Sequence, residues 1–115
     1  MMAAGIVGAL AAAPWGTIDW LAIPRGTRAK AVGAWHGAGN LLVTLLFIGS
    51  WLGRSDAQTP PGALALALGF AGGAVALATA WLGGELVGRL GVGVDDRAHL
   101  DAPNSLTSRN AGDRA

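Results

Sequence analysis

The chain has 115 residues, of which 52% are hydrophobic and 13% charged, and its net charge is +1. A soluble domain carries about 25% charged residues, so most of this surface could not be solvated by water. The charge balance excludes the basic footprint of a nucleic-acid binder, and the lack of cysteine excludes disulfides, thiol chemistry and cysteine-ligated metal.

Charges are missing from three stretches, residues 1–18, 31–53 (a proton on His36 aside) and 57–84. About 18 apolar residues suffice to cross a bilayer core of roughly 30 Å as a helix. The first stretch predicts a helix from about Met2 to Ile23, ended by Pro24, which has no amide hydrogen and crowds the preceding turn. Met1–Ala13 has the apolar, alanine-rich look of a signal peptide. It lacks the basic flank of one, and the apolar run continues, so a transmembrane helix is the better reading.

The loop Pro24–Lys30 holds Arg25, Arg28 and Lys30 and no acid. A second helix is expected over about 31–52. A loop with Arg54, Asp56 and Pro60-Pro61 follows, then a third helix over about 62–88. Residues 95–115 are polar and lack apolar periodicity, which reads as a disordered tail after a transmembrane domain of residues 1–94. The expected fold is an all-α, three-helix transmembrane bundle. Basic loops stay on the cytoplasmic side, so the Arg25–Lys30 loop and the tail are expected inside, with the N-terminus and the Pro60-Pro61 loop outside.

Packing is expected through small residues, which let helices approach closely in lipid. Ala4, Gly8, Ala12 and Gly16 recur every four residues in helix one. Gly72, Ala76, Ala80, Gly84 and Gly88 do so in helix three, with Ala65, Gly69 and Gly73 as a second stripe. Three helices bury little against one another, so a second copy or a partner membrane subunit is expected.

Ionisable groups inside membrane spans are costly unless paired, so they face a bundle interior. Asp19 and His36 each lie six residues inside a basic residue of the loop, a depth of roughly 9 Å at 1.5 Å per residue. Glu85 lies one turn inside Arg89, and Asn40 one turn deeper than His36. These depths predict one polar cluster of Asp19, His36, Asn40, Glu85 and Arg89. Its first reading is a structural network, with Asp19 on His36 or a loop arginine and Glu85 on Arg89 at i,i+4. Its second is a proton or ion relay through Asp19, His36 and Glu85. Its third is haem ligation by His36 in an electron-transfer module, with a second ligand from another subunit, since His99 lies in the tail. One histidine and two carboxylates at loose spacing make a poor metal site, and no catalytic constellation is readable, so no enzyme activity is expected.

Gly16-Thr17-Ile18-Asp19-Trp20, His36-Gly37-Ala38-Gly39-Asn40 and Trp81-Leu82-Gly83-Gly84-Glu85-Leu86-Val87, followed by Gly91-Val92-Gly93-Val94, resemble the bacterial membrane proteins grouped as domain of unknown function 2231. The likeness covers about residues 3 to 96. It implies a multi-pass membrane protein, usually of four helices and without an assigned activity. Some members are joined to a Rieske-type iron–sulfur domain, which implies a redox partner. The family's earlier helix, opening on a His-Pro stretch, has no counterpart here; if that helix supplies a ligand histidine in the family, a haem role is weakened.

Overall fold

In the computed structural model, which describes residues 1–54 and 60–102, the chain forms three helices: α1 (Met2–Ala22), α2 (Arg28–Leu52) and α3 (Ala63–Gly88). All three are long and apolar enough to cross a membrane. Val7, Trp15, Trp35, Phe70, Leu77 and Trp81 are each more than 60% exposed, a surface that suits acyl chains and not water. The molecule is an all-α membrane bundle.

Each boundary has a local cause. Ile23 is extended (φ −67°, ψ 131°), as the residue before a proline must be, and this ends α1. α2 starts at Arg28, three residues earlier than expected, because Thr27 caps it. The Thr27 hydroxyl accepts from the Lys30 amide at 3.1 Å, so charges that read as loop belong to the first turn of a helix. α3 ends where Gly91 takes a left-handed φ of 65° and the Val92 amide returns to the Leu86 carbonyl at 2.9 Å. Residues 89–102 continue in turns without a helix. The part of the expected disordered tail beyond 102, and Asp56 of the loop, lie outside the described residues.

α2 is the middle of a row. It packs along α3 and less extensively against α1, while among the described residues the α1 and α3 backbones make no close approach. The α2–α3 seam has a seven-residue period. Ala65, Gly72, Thr79 and Leu86 are buried in α3, with Gly69, Ala76 and Gly83 half-buried between them. On α2, His36, Gly39, Val43, Leu46 and Ser50 alternate at the same three- and four-residue steps. A Cβ built on Gly72 would touch Leu46 and Phe47, one on Gly53 would touch Ala65, and one on Gly83 would lie 3.0 Å from the His36 ring. A 3.5-residue repeat is the signature of helices wound left-handedly around each other. The four-residue stripe of α3 therefore leaves the seam after Ala76: Ala80, Gly84 and Gly88 are exposed, and Gly73 has open space beside it.

α1 is held differently. None of its residues is buried, and Gly5, Gly8 and Gly16 have nothing within 4 Å of an added Cβ. Its stripe of Ala4, Gly8, Ala12 and Gly16 is therefore exposed and packs against nothing among the described residues. Near its start, a cleft of about 430 Å³ lined by Met2, Ile6, Val43 and Phe47 separates α1 from α2.

One buried polar group secures the far end of the seam. Ser50 is fully buried, and its hydroxyl donates to the Ala65 carbonyl at 2.6 Å. Ser50→Ala is expected to lower the stability of the detergent-solubilised protein by about 0.5–1.5 kcal/mol, the net worth of such a bond. Equilibrium unfolding in mixed micelles measures it, and an unchanged midpoint contradicts the assignment.

Candidate functional site

The polar groups gather toward the end of the bundle that carries the Pro24–Thr27 turn, in three separate sets.

The first set joins α2 to α3. Nδ1 of His36 lies 2.8 Å from the Thr79 carbonyl oxygen. A carbonyl can only accept, so Nδ1 carries the proton and donates. In the neutral ring Nε2 is then the acceptor, and the Asn40 side-chain amide donates to it at 3.0 Å. The Thr79 hydroxyl donates to the Ala76 carbonyl at 3.0 Å and lies 3.3 Å from Asn40 Oδ1. Among the described residues, no buried side-chain nitrogen or oxygen lacks a partner. The ring fits because Gly83 faces it with no side chain.

The second set closes the end of the same helix pair. Arg28 Nη2 donates to Glu85 Oε1 at 2.8 Å, and Arg89 Nε lies 3.5 Å from Glu85 Oε2. The Glu85 side chain is 18% exposed, and the arginines are 62% and 78% exposed. The i,i+4 pair with Arg89 is thus accompanied by a shorter contact from α2.

The third set joins α1 to α2. The Trp20 indole N–H donates to the Lys30 carbonyl at 3.0 Å. The Lys30 ammonium donates to the Trp20 carbonyl at 2.6 Å and to the Leu21 carbonyl at 3.4 Å, and sits 4.0 Å from the indole centroid. This position lets the ammonium cap the end of α1, where the helix dipole is negative. Gly33 makes room, since a Cβ there would come within 2.7 Å of Trp20 Cδ1.

Of the five expected residues, His36 and Asn40 share the first set and Glu85 and Arg89 the second. Asp19 joins neither. It is exposed, and among the described residues its carboxylate has no hydrogen-bond or ion-pair partner. The reason is angular. Successive helical residues are about 100° apart, so with Trp20 turned onto α2, Asp19 points away from it. Depth along the axis was shared, but azimuth was not.

Three participants escaped the sequence reading: Thr79, Arg28 as the nearer partner of Glu85, and the Trp20–Lys30 clamp. Thr79 left a signal, as the one hydroxyl residue of α3. Arg28 and Lys30 did not stand out because they read as loop. Beyond α3, Asp95 pairs with Arg97 at 3.2 Å. The Arg97 side-chain hydrogen bond, with its amide and charge, holds the Asp95 carboxyl below its ordinary pKa and raises that of Arg97.

Among the described residues no group of three or more histidine, cysteine, aspartate or glutamate side chains could hold a metal ion. Nothing among curated proteins or solved structures matches the chain. A family model does match, over residues 1–96, and it is described as "Predicted membrane protein (DUF2231)". That match spans all three helices and all three polar sets, and the chain belongs to this family of membrane proteins.

Proposed function

We propose that the chain is a non-enzymatic, multi-pass subunit of the bacterial inner membrane, in which the His36–Asn40–Thr79 network serves to register α2 against α3. The observation that carries this reading is that both ring nitrogens of His36 are already engaged, one on a backbone carbonyl of the facing helix and one on Asn40. Haem ligation would require Nε2 to leave Asn40. A relay would require continuity, and Glu85 bonds to arginines and not to His36, while Asp19 stands apart. Both alternatives are the weaker for it.

The open face of α1 supports assembly with a second copy or with another membrane subunit. Arg25, Arg28, Lys30 and Arg89 gather at one end of the bundle, which supports a cytoplasmic position for that end and an outside N-terminus.

Two measurements test this. Protein purified from membranes is expected to show no Soret band and to yield no haem on extraction; a stoichiometric band that disappears in His36→Leu would establish the redox reading instead. Single cysteines at Arg25→Cys and Arg54→Cys are expected to label from opposite sides of sealed vesicles. Labelling of both from one side contradicts the topology.

A further inference from the structure

The Arg28–Glu85–Arg89 set is unbalanced. Two guanidiniums from different helices converge on one carboxylate, which leaves a local charge of +1. Glu85 is the least exposed of the three and holds both arginines in place, while they keep most of their surface open. A guanidinium has five N–H donors in a planar fork, and here only Nη2 of Arg28 and Nε of Arg89 face the carboxylate. The surroundings add to the imbalance. Arg25 lies in the adjoining turn, and Lys30 spends its ammonium on backbone carbonyls and not on an acid. Within the three helices Asp19 is the one other carboxylate at this end, and of the acids that follow α3, Asp95 is paired with Arg97.

The set sits at the ends of two membrane-spanning helices, the level at which lipid phosphates lie. Gly84 and Gly88, on the turns that carry Glu85 and Arg89, have nothing within 4 Å of an added Cβ. The surface of α3 there is unobstructed, and the exposed Trp81 lies one turn further in.

We propose that Arg28 and Arg89 form a binding site for the phosphodiester of an anionic phospholipid, with Glu85 as the positioning residue. A phosphodiester supplies the single negative charge that the set lacks and accepts from both forks. A zwitterionic lipid brings its own ammonium and leaves the charge uncompensated, so the site selects net-anionic headgroups. This inference stands whichever side of the membrane the site faces.

The test is native mass spectrometry of the full chain released from nanodiscs of equimolar phosphatidylglycerol and phosphatidylcholine. The wild type is expected to retain phosphatidylglycerol preferentially. Arg89→Gln, which leaves the 2.8 Å Arg28–Glu85 pair intact, is expected to reduce that preference about fivefold, the attraction of one basic residue near an anionic surface. Arg28→Gln with Arg89→Gln is expected to abolish it. Arg97→Gln, whose guanidinium pairs with Asp95 beyond α3, is expected to leave it unchanged. Excess inorganic phosphate is expected not to displace the lipid. Equal retention of the two lipids by the wild type, an undiminished preference in Arg89→Gln, or displacement by phosphate each overturns the proposal.

Discussion

Gly39→Leu is expected to separate α2 from α3. A Cβ at Gly39 collides with Thr79 Cγ2, on a residue that is 4% exposed. Thr79 cannot swing aside cheaply. Its hydroxyl is held by Ala76 and faces Asn40, and its carbonyl holds the His36 ring. Overpacking a tight contact costs about 1–3 kcal/mol, and opening the helix pair would break the His36 bond as well. The sign of Gly39→Ala is the sharper check. Helix propensity alone favours alanine by about 1 kcal/mol, so a loss of stability can only come from the contact. Gly37→Ala, with nothing within 4 Å, is the control and is expected to be neutral or stabilising. Equilibrium unfolding in mixed micelles reads all three variants. A Gly39→Ala protein as stable as Gly37→Ala would show that the helices do not meet there.

His36→Leu carries the second large effect. It removes the donor to the Thr79 carbonyl and the acceptor for Asn40 together. Interhelical hydrogen bonds in membranes average about 0.6 kcal/mol and reach about 1.7. An amide left without its partner in an apolar setting adds a penalty of about 1–3 kcal/mol. The expected total is therefore on the order of 1–3 kcal/mol, seen as an earlier unfolding midpoint. Asn40→Leu should cost less, since the bond to the facing helix through Nδ1 survives it. Equal stability of His36→Leu and wild type would remove the structural role.

The spans were legible because charge is excluded from hydrocarbon, and charge-free runs can be read directly from the residues. The start of α2 was less so. Arg28 and Lys30 look like loop until Thr27 is recognised as a cap, and then their side chains become available to Glu85 and to the end of α1. The polar residues were legible in depth, which follows from counting along an axis. They were not legible in azimuth, which depends on which face each helix turns to its neighbour. Asp19 illustrates this: one residue from Trp20 in sequence, it is turned about 100° away from the contact. The small-residue stripes misplaced the seam for a related reason. Four-residue spacing drifts around a helix, whereas Ala65, Gly72, Thr79 and Leu86 stay buried at intervals of seven because the helices coil around each other. Among the described residues the α1 glycine pattern packs against nothing, since α1 meets α2 on the side of the Trp20–Lys30 clamp and leaves its stripe open.

The central claim is that polar contacts across the α2–α3 seam act as one structural unit. A double-mutant cycle of His36→Leu and Thr79→Val, read by reversible unfolding in mixed micelles, tests it most directly. Both side chains meet Asn40, so the two losses are expected to be non-additive by at least about 0.5 kcal/mol. Strict additivity, or two variants each as stable as the wild type, would contradict a shared network and favour a ligand-binding role for His36.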